Sequence, residues 1–330
     1  MKNSRARRVL VIGLDCAAPK FIFGPGAFEL TNLRALMDSG ARAILRSCDP
    51  PITVPAWTVM TSGLDPGQLG LYGFRNRADT SYAPMRVATS NDIRALRLWD
   101  RASAAGMNVV VAGVPQTWPP RPVKGYLTSD FLAPQSNAEC TYPKSLKQEL
   151  ERAVGEYQLD VKDYRTDDKH SLLPRIYAVM SNRFDTFEYL LDRQEWSFAM
   201  MVEIGLDRLH HAFWKYCDPG HPDYAEGNPF VNVFRDYYSA LDARIGRLLN
   251  RVNEDDAIVV VSDHGAKPLI GGFRINQWLI NEGYLSLKES PHEGAPLTKD
   301  TVDWAYTRAW RAVTMRAYSL TRPEENPKVP

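Results

Sequence analysis

The sequence predicts an α/β fold, a three-layer sandwich with a mostly parallel central sheet between layers of helices. Three observations carry that expectation. Short β-branched and apolar runs recur at Val9 to Gly13, Met107 to Gly113, Phe198 to Ile204 and Ala257 to Ser262, and strands apolar on both faces belong inside a parallel sheet. Longer segments of helical period separate them, and alternation of strand with helix is the pattern of layered α/β proteins. The composition agrees: of 330 residues, 44% are hydrophobic and 24% charged, which supports a sizeable core and excludes disorder, collagen-like repeats and coiled coil.

Taken in chain order, Val9 to Gly13 opens the sheet. Thr31 to Ser39 reads as a helix with Thr31 as its cap and Gly40 as its stop. Ala56 to Ser62 can start a helix after Pro51 and Pro55. Ser90 to Ala105 begins with Ser-Asn-Asp, a helix start, and ends at Gly106. From Pro115 to about Lys169 the texture changes, with Pro119, Pro120, Pro122, Pro134 and Pro143 interrupting regular structure; this predicts an excursion from the sheet, a lid or insertion over 115–170. Leu172 to Arg193 and Val231 to Val252 read as long helices with mixed charges outward. Residues 1–310 are expected to form one domain.

Lys+Arg 40 against Asp+Glu 39 leaves a net charge of +1. So even a balance provides no general attraction to nucleic acid or anionic lipid, and any phosphate chemistry must come from a local site. Cys16, Cys48, Cys140 and Cys217 are scattered without a CxxC pair, which disfavours a zinc ribbon or a disulfide scaffold and suits a reducing cytoplasm. After MKNSRARR the apolar run is too short for a signal sequence. No uninterrupted apolar run approaches the roughly 18 residues of a membrane span. The expectation is a cytoplasmic protein with a small-molecule partner and neither a membrane nor a stable nucleic-acid complex.

Ligands of open α/β sheets bind at the carboxyl ends of the strands. Asp15 ends VLVIGLD, Asp207 follows in MMVEIGLD, and Asp263 and His264 end IVVVSDHG. These are metal-ligand types that one topology brings to one rim. Asp207 and His211 stand at i and i+4, so a helix starting near Asp207 sets both on one face; taken alone, the pair reads first as a helix cap and a ring packed on Trp214. His210 falls on the wrong face. Alone, Asp15 also reads as a turn former. Two ionisable residues directly after an apolar strand, as at Asp263 and His264, are costly to bury unless something pairs with them. Thr53 lies between Pro51 and Pro55 ahead of the predicted helix, and a hydroxyl at a helix N-terminus beside a cation is a plausible nucleophile. The alternative there is an ordinary capping threonine.

In this order, a strand ending in Asp15, the TVPAW hydroxyl segment running into TSGLDPGQLGLYGFRNR, Asp207-x-x-x-His211, and SDHG followed by GGFRINQWLINEGYL together resemble the alkaline phosphatase superfamily. The similarity is greatest to the branch holding nucleotide pyrophosphatases/type I phosphodiesterases and AlkP-type phosphohydrolases or phosphomutases, and it spans about Val9 to Trp310. The resemblance implies two divalent ions, zinc first, with manganese or magnesium as alternatives. It implies that Asp15, Thr53, Asp263 and His264 hold one ion, with Thr53 the covalent nucleophile, and that Asp207 and His211 hold the second. The family's third ligand to the second ion is a downstream His in an HxxxG-type segment. Here only His292 follows His264, outside such a motif.

From Arg311 the chain reads RAVTMRAYSLTRPEENPKVP, with neither strand alternation nor a terminal helix pattern. Codons permitting, Arg311 to Leu320 can be read in a shifted frame as a glycine turn and a strand. The expectation is therefore a frameshifted or truncated gene, an alkaline-phosphatase-like core lacking its C-terminal part, with 311–330 an aberrant or disordered tail; a natural short variant is the alternative. The function implied is metal-dependent hydrolysis of a phosphodiester or nucleotide pyrophosphate. A sulfatase on the same core is disfavoured, because Cys48-Asp49-Pro50-Pro51-Ile52 has Ile where formylglycine maturation requires Arg. A phosphomutase and a catalytically impaired binding protein complete the alternatives.

Overall fold

The computed structural model describes residues 7–77, 79, 85–134 and 139–285. In chain order the elements are β1 (Val9–Leu14), α1 (Pro19–Ile22), α2 (Thr31–Ser39), α3 (Thr53–Ser62), α4 (Pro66–Leu69), β2 (Arg75–Asn76), β3 (Arg86–Val87), α5 (Leu98–Ala104), β4 (Val109–Ala112), β5 (Gly125–Thr128), β6 (Thr141–Tyr142), α6 (Leu146–Val154), α7 (Lys169–Arg193), β7 (Phe198–Glu203), α8 (Gly205–Cys217), α9 (Val233–Leu249), β8 (Ala257–Val261) and α10 (Ile275–Asn281). Two compact units are distinguished, Met1–Pro268 and Leu269–Pro330. The second contributes α10 to the described residues. The first holds the sheet and all that follows.

Six strands form the central sheet in the order β6-β5-β4-β7-β1-β8. All neighbours run parallel except β6, which pairs antiparallel with β5 at the edge. The interior strands β4, β7 and β1 are apolar but for Glu203 at the end of β7, because they bury both faces. Leu10, Ile12, Val110, Ala112, Ala199 and Met201 point into one core, shared with α2, α7, α8 and α9. Their neighbours Val11, Val109, Val111, Phe198, Met200 and Val202 point the other way, against Trp57 of α3 and Trp99 of α5. Period-2 alternation thus fills two cores from one set of strands, and the three predicted layers are present.

The four strands expected from the sequence are β1, β4, β7 and β8. The proline-rich stretch differs from its expectation. It supplies β5 and β6, which extend the sheet at one edge, so part of the predicted excursion belongs to the sheet. Another correction concerns Ser90 to Ala105. Ser-Asn-Asp makes only a 3-10 turn, and the helix begins later, at Leu98. The backbone there is engaged elsewhere: Ser90 N–H donates to Trp118 O at 2.7 Å, and the Arg121 guanidinium takes the carbonyls of Ser90 and Ile93. Thr31 is likewise the first helical residue of α2 rather than its cap. The free amides of Asn32 and Leu33 donate instead to the Asp242 carboxylate of α9, at 2.9 and 2.8 Å, so the helix is capped by a distant residue.

No helix among the described residues is long and apolar enough to cross a membrane. His292 and the stretch 311–330 lie outside the described residues.

Candidate active site

The sheet register assembles the first group of donors. β1 and β8 pair in parallel with Gly13 opposite Val261, and the same register carried two residues further sets Asp15 beside Asp263. Both carboxylates are buried, at 0% and 2% exposure. The chain turns sharply after Asp15, with Cys16 at a φ of 66°, a left-handed conformation uncommon for a side chain of this kind. That turn aims the Cys16 amide at Asp263 Oδ1, 3.2 Å away. Asp15 Oδ2 accepts from the Trp57 indole at 2.8 Å. Gly13 makes this approach possible, because a Cβ there would sit 2.6 Å from Trp57 Cη2.

His264 Nδ1 lies 3.0 Å from Gly265 O. A carbonyl only accepts, so Nδ1 carries the proton and Nε2 presents its lone pair inward. Nε2 stands 3.7 Å from Asp15 Oδ1 and 3.4 Å from Asp263 Oδ2. Thr53, the first residue of α3, is buried with its hydroxyl 3.0 Å from His264 Nε2 and 3.5 Å from Asp15 Oδ1.

These residues fit a divalent cation. One donor atom from each of Asp15, Asp263 and His264 falls within 4.8 Å of the others. Asp263 Oδ2 is buried and accepts no hydrogen bond. Burial first, and then the charges of Asp263 and Asp207, push the Asp15 carboxyl well above the ordinary range. Burial, with Asp207 adding to it, pushes Asp263 up to about 8 despite the amide of Cys16. Two buried carboxylates, an imidazole lone pair and a hydroxyl, with no positive side chain among them, make a donor set of the N/O type that suits zinc or manganese.

Asp207 and His211 lie one turn apart on α8, with Asp207 Oδ1 3.4 Å from His211 Nε2. Asp207 does not cap the helix. Glu203 does, its carboxylate accepting from Gly205 and Leu206 amides at 2.6 and 3.1 Å. Nor does His211 pack on Trp214: its side chain is 59% exposed, and the ring packed there is His210. His210 is enclosed by Phe21, Trp214, Phe234 and Tyr238, and burial drives its pKa down to about 3. Burial would raise the Asp207 carboxyl, but the His211 hydrogen bond and the Arg208 charge outweigh it and hold it below the usual range.

The family model for type I phosphodiesterase / nucleotide pyrophosphatase matches residues 9–325. The chain belongs to this family. The match runs past Trp310 into the stretch read from sequence as aberrant. No curated protein matches. Among solved structures, phosphonoacetate hydrolase from Sinorhizobium meliloti 1021 in complex with phosphonoformate is similar at 18% identity and a TM-score of 0.54, over 84% of this chain and 62% of that one. The same enzyme with phosphonoacetate gives 17%, 0.54, 84% and 63%. A sulfatase of Bacteroides thetaiotaomicron glycosaminoglycan metabolism shows a weaker likeness, with 12% identity and a TM-score of 0.45 over 79% of this chain and 62% of that one. This chain therefore spans less than two thirds of the length of these neighbours. Family and neighbours lie within the alkaline phosphatase superfamily, and the family is a hydrolase family generally dependent on divalent metals.

Three residues of this candidate site are not evident from the sequence alone. Trp57 sits inside the quoted TVPAW segment, but nothing in it says that the indole reaches Asp15. Glu203 ends a buried strand, and a carboxylate two residues before Gly205 was a legible capping signal. Arg208, 6% exposed, bonds Asp207 Oδ2 at 2.6 Å; its neighbour in sequence gave no hint that the two side chains pair.

Proposed function

We propose that this chain hydrolyses phosphodiester or nucleotide pyrophosphate bonds in a small-molecule substrate, with Thr53 as nucleophile. The observation that carries the reading is the buried Thr53 hydroxyl, within 3.5 Å of both the Asp15 carboxylate and the His264 ring, at the start of a helix whose N-terminus favours an anion. Asp15, Asp263, His264 and Thr53 would hold one divalent ion, zinc first, and Asp207 and His211 would contribute to a second. Bound there, the ions supply positive charge that lowers the cost of the Thr53 alkoxide and offsets charge on the phosphoryl group.

Thr53 Oγ attacks phosphorus in line, forming the Thr–O–P bond as the bond to the leaving-group oxygen breaks. Water then cleaves the phosphothreonine ester and restores the hydroxyl. Trp57 and the Cys16 amide hold the two carboxylates in place, and the Gly265 carbonyl holds the His264 tautomer. The ring of Tyr164, centroid to centroid 6.3 Å from His211, supports the reading that the segment around it selects the leaving group. The phosphonates held by the structural neighbours support a small phosphorus-containing anion as the substrate class.

Thr53→Ala should abolish hydrolysis of a chromogenic phosphodiester while the protein retains bound metal, and Thr53→Ser should keep measurable turnover. Wild-type turnover in Thr53→Ala would sink the assignment.

A further inference from the structure

Arg208 is held on every side. Its Nε and Nη2 donate to the two carboxylate oxygens of Asp160 at 2.8 and 2.9 Å, while Nη1 donates to Asp207 Oδ2 at 2.6 Å. The rings of Phe131 and Tyr164 lie 4.9 and 4.4 Å from the guanidinium carbon. One guanidinium is therefore divided between two carboxylates. Its two-pronged edge goes to Asp160, and a single N–H goes to Asp207. Asp207 Oδ1 remains turned toward His211.

Asp160 is itself anchored. It ends a strap along which Gln158 N–H donates to Asn182 Oδ1 at 2.8 Å, Asn182 Nδ2 donates to Glu156 O at 3.1 Å, and Arg183 Nη2 donates to Leu159 O at 3.2 Å. Arg183 also donates to the Tyr157 hydroxyl. All four bonds run between the strap and α7, so the position of Asp160 is fixed by a long buried helix rather than by its own loop.

We propose that Asp160 is a positioning residue for the second ion: by holding the two-pronged edge of Arg208, it keeps the guanidinium from chelating both oxygens of Asp207 and leaves Oδ1 for the ion beside His211. The inference rests on the proposed second centre. Its physical content is a competition. A guanidinium freed from one carboxylate binds another bidentately where it can, so without Asp160 the same Arg208 closes over Asp207 and takes the ion's donor. A purely structural ion pair has no such consequence, because breaking it would lower stability without choosing between two metal centres.

The test counts zinc per chain and measures each dissociation constant by chelator competition, alongside thermal unfolding, on full-length wild type, Asp160→Asn, Asp160→Glu and the double variant Asp160→Asn/Arg208→Gln. Wild type should hold two ions. Asp160→Asn should leave the first unchanged and weaken the second by about 10–100-fold, the range for loss of an outer-shell partner. Removing the competitor in the double variant should restore most of that loss, and Asp160→Glu should fall between. Equal weakening of both ions, wild-type binding in Asp160→Asn, or a double variant no better than the single would overturn the proposal. If Asp160→Asn does not fold, Asp160→Glu decides, and unchanged affinity at the second ion refutes it. A wild type that holds fewer than two ions refutes the second centre itself, which separates that failure from an Asp160 that proves indifferent.

Discussion

Two groups of candidate ligand side chains share the carboxyl rim of the sheet, and their electrostatic surroundings differ. Around Asp15, Asp263 and His264 the protein gathers buried carboxyl groups and offers them neutral donors, the Trp57 indole, the Thr53 hydroxyl and the Cys16 amide. Around Asp207 it supplies a cation of its own, Arg208, and leaves His211 largely exposed. The first group is electrostatically unfinished without an ion. The second is already half neutralised. Proton affinities follow the same division, since Asp15 and Asp263 hold protons far more tightly than ordinary carboxyls whereas Asp207 holds its own less tightly. The difference teaches that similar residue types at one rim need not bind ions equally, because the rest of the donor's contacts decide how much charge remains.

The largest effect that would break this comparison comes from Asp263→Asn. Removing one of two adjacent buried carboxylates should cost the first ion and lower hydrolysis by at least about 100-fold, the upper range for a mere outer-shell change. The metal-free variant should nevertheless melt above metal-free wild type at pH 8, by about 2–4 °C for each kcal/mol of repulsion relieved. Calorimetry of both stripped proteins checks this. A lower melting temperature in the variant would mean that the Asp15 and Asp263 pair is not the strained feature described.

Chelator titration sharpens the comparison next. An ion held by three side chains and a hydroxyl should be retained longer than one held by a single oxygen of Asp207 and an exposed ring. Counting zinc against rising chelator should show one ion leaving early. Simultaneous loss of both would put a further ligand at the second centre, with His210 disfavoured by its aromatic enclosure and His292 the first to test.

The pH dependence has a definite sign. Asp263 titrates near 8 in the folded, metal-free chain and near about 4 when unfolded, so between those values the folded state holds the extra proton. Stability then falls as pH rises through that window and levels above it. Asp15, shifted in the same direction, adds to the slope. Zinc should reverse the trend, because the ion replaces these protons and its affinity rises with pH. Melting temperatures from pH 5 to 9 with and without zinc read both slopes. Parallel curves would show that no ion sits among these carboxylates.

How much of this was legible depended on whether the deciding contact was local. Strands β1, β4 and β7 were readable because each buries both faces and so shows an unbroken apolar run; β8 shows the same run although it is an edge strand with Val259 exposed. Asp15, Asp263 and His264 were readable because strand ends in such a sheet share one rim, and Asp207 with His211 because i and i+4 share a helix face. Strands β5 and β6 were hidden by the prolines that flank them. The break between Ser90 and Leu98 depends on Arg121, and the capping of α2 depends on Asp242, both far away in sequence. Arg208 was invisible for the same reason, since its meaning lies in Asp160, on a strap that α7 bonds at Asn182 and Arg183.

The smallest expected effect, and the finest probe of the comparison, is Trp57→Phe. The indole is fully buried in the core shared with Val11, Val111 and Val202, and Phe retains much of that packing while removing the N–H that Asp15 Oδ2 accepts at 2.8 Å. Asp15 then loses the indole donor that steadies its charged form, so its affinity for a proton rises and its affinity for an ion falls. Binding at the first centre should weaken by about 10-fold, the low end for an outer-shell donor, and the pH at which zinc binds should move upward. The bonds of Asp207 and Arg208 run to each other, to His211 and to Asp160, so the second centre should keep its affinity. Zinc titration of the variant at two pH values separates these outcomes. Equal weakening at both centres would show that Trp57 acts through the packing of the sheet, and that the two halves of the rim are less independent than their charges suggest.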